Sequence, residues 1–124
     1  MATEGWTPGC LEVLSEVLAE RHRQVAQYGL NDECLDGTGP EVLWLEKTDV
    51  NLDLRDATEI EDAFRIQYER YCRAHGGVPT WMLLVREEIA EAFKESDPER
   101  LTAELVQVAA LCVSWVEAIR RREQ

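Results

Sequence analysis

WMLLVREEIAEAFKESDPERLTAELVQVAALCVSWVEAIRRR, residues 81–122, is the stretch on which the fold turns. Ser96, Asp97 and Pro98 divide it into two helical pieces. Pro98 suits a first helical turn, with Asp97 or Ser96 as its cap. Downstream, Leu101, Leu105, Val108, Cys112, Trp115 and Ile119 recur by threes and fours, the spacing of one helix face. Arg120, Arg121 and Arg122 complement the C-terminal end of the helix dipole. Upstream, a helix over residues 80–94 takes Val85, Ile89 and Ala92 as its core face. Two helices joined by so short a turn are expected to pack antiparallel.

Toward the N-terminus, residues 58–75 read as another helix. Its apolar stripe is Ile60, Phe64, Tyr68, Tyr71 and Cys72, Thr58 and Glu61 have capping-box spacing, and Gly76 and Gly77 end it. A first helix over residues 8–28 carries Leu11, Leu14, Val17, Leu18 and Val25, with Gly29 as its stop. Residues 30–55 have no clean period, and 41–45 fit a short helix or an extended piece equally well. Segments of this kind often serve as lids or packing arms. The expected fold is therefore all-α: one domain over residues 1–124, a four-helix bundle completed by dimerisation, with an irregular insert around residues 30–55.

The net charge of −12 argues against a protein that binds duplex nucleic acid or a membrane surface, since both need basic patches. It does not exclude nucleotides, because divalent cations can sit between an acidic site and a triphosphate. Cys10, Cys34, Cys72 and Cys112 form no CxxC pair, and Cys72 and Cys112 read as small core residues. Residues 1–8 have neither a basic nor an apolar leader region, and no apolar run reaches the roughly 20 residues of a membrane span. The expected compartment is the cytoplasm.

The informative residues are acidic. On a wheel at about 100° per residue, Glu88 and Glu91 share one flank of the core face, while Glu87 points further toward solvent. Glu104 and Gln107 hold the same angular offset on the next helix. Antiparallel packing makes the two flanks converge. Unpartnered, such carboxylates repel one another and are costly to desolvate. Mg²⁺ removes the conflict, taking hard oxygen ligands and bridging to phosphate oxygens. An isolated Glu-Glu-x-x-Glu is ordinarily a solvated helix face; the matched pair on the following helix turns the reading toward a site.

These residues resemble the MazG-like nucleoside triphosphate pyrophosphohydrolases, which carry Glu-Glu-x-x-Glu, a connection, and Glu-x-x-Asp. Here the pattern is Glu87-Glu88-Ile89-Ala90-Glu91, twelve residues, then Glu104-Leu105-Val106-Gln107. The resemblance covers residues 81–122, and Glu20-Arg21-His22-Arg23-Gln24 looks like the family's opening helix. It implies an all-α fold that commonly dimerises. It also implies hydrolysis of a nucleoside triphosphate to monophosphate and pyrophosphate with Mg²⁺, for which Mn²⁺ can substitute. Carried over by position, Glu88, Glu91 and Glu104 are metal ligands, and Glu87 is a ligand to a second ion or a water-orienting group. Gln107 stands where the family has Asp; its amide oxygen can ligate Mg²⁺ but brings no charge and cannot act as a base.

For the catalytic step, Glu91 or Glu87 is expected to orient the attacking water. Lys94, Arg86 and Arg70 are candidates to offset triphosphate charge, although surface Lys and Arg commonly pair with neighbouring Glu. Gln24, Tyr28 and Trp81 are candidates for base recognition, with core packing an equal reading for Trp81. His22 and His75 have no Cys/His cluster around them and give no zinc site. Two further readings remain open: a catalytically weak nucleotide sensor marked by Gln107, and an acidic helical interaction protein without a ligand.

Overall fold

A computed structural model describes residues 7–30, 32–42 and 56–123. It is all-helical, with α1 Pro8–Tyr28, α2 Ala57–Ala74, α3 Trp81–Lys94 and α4 Pro98–Arg122. Each helix starts on an oxygen-bearing cap. Thr7 accepts from the Cys10 N–H, Asp56 from Glu59, Thr80 from Leu83 and Asp97 from Arg100. The cap of α2 is thus Asp56, two residues before the expected Thr58. Glu61, expected in the capping box, is instead buried on the packed face of the helix.

The helices pack in the order α2, α3, α4, α1. Contacts between α3 and α4 run in opposite directions: Trp81 stacks on Trp115 at one end, and Glu91 meets Glu104 at the other. Helices α1 and α2 flank this central pair without packing on each other. The core cluster holds Cys34, Trp81, Leu111 and Ala118, with Val78, Leu84, Val85 and Trp115 packed against it. Trp81 is completely buried, its ring 6.3 Å from that of Trp115 and nearly parallel to it.

The core face of α4 differs from the expected one. Leu105 and Cys112 are exposed, whereas Ala110, Leu111 and Ala118 are buried. Apolar residues at 105, 106 and 108–113 nearly encircle this helix, so spacing alone does not select a face. The small side chains at 110 and 118 let neighbouring helices approach closely. By length and composition α4 is also apolar enough to cross a membrane; in the fold it packs along α1 and α3 and exposes Val113 and Val116.

Part of the irregular insert is ordered as a strap over the ends of α3 and α4. Trp81 and Met82 at the start of α3 donate their N–H groups to the carbonyls of Leu35 and Asp36, at 2.8 and 2.9 Å. These are donors that a helix N-terminus leaves unsatisfied. Asp36 accepts from the Trp115 indole N–H at 2.7 Å and from Arg122 at 3.0 Å, while Arg121 pairs with Asp32. Residues 43–55, the remainder of the insert and most of the ambiguous 41–45 piece, lie outside the described residues.

Gly37 allows the strap to close. Its φ is +75°, and an added Cβ would fall 2.6 Å from the Thr80 side chain that caps α3. Gly37→Ala is therefore expected to lower unfolding stability by about 2 kcal/mol or more, combining left-handed strain with a disturbed cap. Urea denaturation measures it, and an unchanged midpoint would show that the strap does not bear on α3.

Candidate functional site

Glu88 and Glu91 of α3 and Glu104 of α4 each place a carboxylate oxygen within 4.8 Å of the others. The group lies where the antiparallel pair moves away from its tryptophan end, half-buried between the helices. Glu88 Oε2 and Glu104 Oε2 are buried without a hydrogen-bond partner among the described residues. Burial, then the Glu91 charge and the contact with Glu104, push the Glu88 carboxyl up to about 8. Glu91 is raised as well, by burial first and then by Glu104 and Glu61, against the lowering effect of Lys94.

A second acidic group adjoins the first and shares Glu91. Glu61, Glu87 and Glu91 also bring their oxygens within 4.8 Å of one another. Glu87, expected to face solvent, is half-buried here, and burial followed by the Glu91 charge raises its carboxyl. Glu61 is 2% exposed and forms ion pairs with Arg65 at 3.3 Å and Lys94 at 3.2 Å. Sequence reasoning missed Glu61 as part of the acidic cluster. Its signal was present: Glu61, Phe64 and Tyr68 are spaced by three and four, which puts this acid in the apolar stripe of α2.

Beside Glu87 and Glu88 opens a cavity of about 380 Å³ reached by all four helices. It is lined by residues of α1 and α2, which flank the central pair without packing on each other. Gln24 and Tyr28 from α1, Tyr68 from α2 and Gln107 from α4 line it, and the Gln107 backbone carbonyl accepts from Gln24 Nε2 at 3.3 Å. Its volume falls in the range of small-molecule sites.

The other anticipated contact residues lie elsewhere. Trp81 is sealed in the core against Trp115, Lys94 pairs with Glu61, and Arg70 is exposed; none of the three lines the cavity. Arg86 is buried on the α2 side, over the Phe64 ring and bonded to Gln67 at 3.1 Å. The cations that do line the cavity are Arg21, Arg23 and Arg121, paired with Glu117, Glu20 and Asp32 respectively. Nothing in their spacing separates them from other surface arginines.

Three hard oxygen donors, two of them with orphaned buried atoms, match what Mg²⁺ or Mn²⁺ requires. The ordinary glutamate value is 4.5, and Glu88 lies near 8. Between these values the folded protein keeps a proton that the unfolded chain has released, so stability falls as pH rises through this window. The melting temperature of metal-free protein is expected to drop between about pH 5 and about pH 8, and Glu88→Gln should flatten that drop. At about pH 8, Mg²⁺ or Mn²⁺ should raise the melting temperature of the wild type and leave Glu88→Gln/Glu91→Gln unmoved. Equal response of both proteins to the ion would exclude this cluster as its site.

The chain matches no family model, and no curated protein and no solved structure matches it significantly.

Proposed function

We propose that this chain is a Mg²⁺-dependent nucleoside triphosphate pyrophosphohydrolase of the MazG-like type, converting an NTP or dNTP to its monophosphate and pyrophosphate. The observation that carries the reading is the unbalanced carboxylate group at Glu88, Glu91 and Glu104, set against a cavity of nucleotide size. A half-buried cluster of mutually repelling carboxylates is destabilising, and a bound cation offsets the repulsion. The cavity adds room for a ligand beside it, with cationic side chains on its walls.

Glu88, Glu91 and Glu104 would hold the ion, with the Gln107 amide nearby on α4. When bound, the ion neutralises phosphate charge and acidifies water. Glu87 would take a proton from the attacking water, its carboxyl being held above the ordinary range by burial and then by the Glu91 charge. Water oxygen then bonds to the α-phosphorus, the α–β anhydride bond breaks, and pyrophosphate leaves. Glu91, common to both acidic groups, would orient the attacking water. Arg21, Arg23 and Arg121 would exchange part of their carboxylate pairing for phosphate oxygens. The rings of Tyr28 and Tyr68 offer surfaces for a base.

A second copy of the chain is part of this reading. Leu11, Leu14 and Leu18 form an exposed row on α1, and Leu105, Val113 and Val116 are exposed on α4. An apolar surface of this kind is commonly buried in a dimer. The cytoplasm, where nucleotide pools are maintained, is the compartment that goes with the activity.

Gln107 favours one alternative, a nucleotide sensor that binds without turnover, because it removes a charge that an acidic residue would bring to the ion. Pyrophosphate release from each common NTP and dNTP, with Mg²⁺ and with Mn²⁺, separates the two. Wild type is expected to release pyrophosphate, and Glu88→Ala/Glu91→Ala to lose it by roughly a hundredfold or more, as removal of a metal site costs several kcal/mol of barrier stabilisation. No release above that variant would overturn the hydrolase; nucleotide-induced thermal stabilisation in its absence would establish the sensor.

A further inference from the structure

The two carboxylate groups meet at Glu91 but differ in the cations beside them. In the group Glu61, Glu87 and Glu91 a lysine is already inserted. Lys94 closes α3 one turn beyond Glu91, so the two side chains share a helix face. Its Nζ reaches across to α2 and donates to Glu61 Oε2 at 3.2 Å. The same oxygen accepts from Arg65 at 3.3 Å. Glu61 is buried, so this arrangement belongs to the packing of α2 on α3. Lys94 also draws the Glu91 carboxyl down, and Arg65 that of Glu87, each against the opposing effect of burial. All three acids of this group therefore lie in the field of a fixed cation.

The group Glu88, Glu91 and Glu104 is built differently. No ion pair to Glu88 or Glu104 forms among the described residues, and Arg23, which feels the Glu88 charge, is paired with Glu20. Counting Glu91 in each group, three carboxylates against Lys94 and Arg65 leave one formal negative charge. Three carboxylates around one divalent ion would leave the same at Glu88, Glu91 and Glu104. A second ion bound through Glu61 Oε2, at about 2.1 Å, would lie within about 5.5 Å of both the ammonium and the guanidinium and be repelled by them.

Resting on the metal reading of the Glu88 group, we infer that Lys94 is a positioning residue that holds the protein to one divalent ion per chain, its ammonium standing where a second ion would otherwise bind among Glu61, Glu87 and Glu91. Glu91 then faces an ammonium on one side and the ion on the other, and does not bridge two metals. Glu87 carries no metal and stays available to the attacking water.

Titration of metal-free protein with Mn²⁺ counts the ions without substrate or turnover. It is run at about pH 8, near the value of the Glu88 carboxyl, and followed by the EPR signal of free aqueous Mn²⁺. The wild type is expected to bind about one ion per chain, Lys94→Met about two, and the charge-conserving Lys94→Arg about one again. In Lys94→Met the two ions would share Glu91 at roughly 4 Å, and coupling between their spins should weaken the bound-ion signal, which loss of packing alone does not do. Lys94→Met/Glu61→Gln should return to about one ion, assigning the second to the Glu61 group. Lys94→Gln, which also lacks the charge, repeats the count should Lys94→Met not fold, and the wild-type count needs no variant.

Two ions on the wild type, or one on a folded Lys94→Met or Lys94→Gln, would overturn the inference and leave the hydrolase intact. A second ion gained by the variant, in a protein that releases no pyrophosphate, would overturn the hydrolase and keep Lys94 in its role. No ion on the wild type would overturn both.

Discussion

The stacked pair Trp81 and Trp115, with the Trp115 indole pinned by Asp36, is the contact on which the arrangement of the carboxylates depends. Glu91 lies ten residues along α3 from Trp81, and Glu104 lies eleven residues back along α4 from Trp115. At about 1.5 Å per residue the two paths are nearly equal in length, so stacking at one end of an antiparallel pair brings the two acids level at the other. A one-residue slip of α4 would turn Glu104 by about 100° and remove it from the cluster. The strap at residues 32–42 fixes this register by holding the tryptophan end from outside.

Charge is distributed unevenly around Glu91. Toward α2, Glu61 is buried with Arg65 and Lys94, so that side of the acidic region carries its own compensation. Toward α4, Glu88 Oε2 and Glu104 Oε2 have no hydrogen-bond partner among the described residues, and the Glu88 carboxyl is pushed to about 8. The same residue type therefore plays two physical roles a few ångströms apart. One carboxylate is ion-paired within the packing; among the described residues the others repel one another more than the nearby cations offset. The cationic groups on the cavity side, Arg21, Arg23 and Arg121, are engaged with Glu117, Glu20 and Asp32, and Arg23 also feels the Glu88 charge.

The helices were legible because their punctuation is strong: Gly29 ends α1, and Asp97 and Pro98 start α4, at the expected residues. So was the convergence of Glu88, Glu91 and Glu104, since two matched flanks on antiparallel helices leave few other arrangements. The buried face of α4 was not, because its apolar residues run nearly all the way round and only tertiary contact chooses among them. Glu61 was misplaced because a glutamate three residues after a threonine reads as a cap partner, while its actual role depends on Lys94 from another helix. The strap was illegible for a similar reason. Its carbonyls satisfy helix donors across a distance of many residues, and no local period records that.

The absence of direct packing between α1 and α2 has a mechanical consequence. Helix α1 is held by α4 and by few buried side chains, Val17 and Gln24, whereas α3 is packed on both sides. Free energies of local opening follow such differences in burial, so α1 is expected to open at less cost than α3. Its departure removes one wall of the cavity and leaves the α3–α4 acidic group assembled. Entry to the site and integrity of the carboxylate cluster are thereby assigned to different parts of the chain, and a loosening of the first does not entail loss of the second.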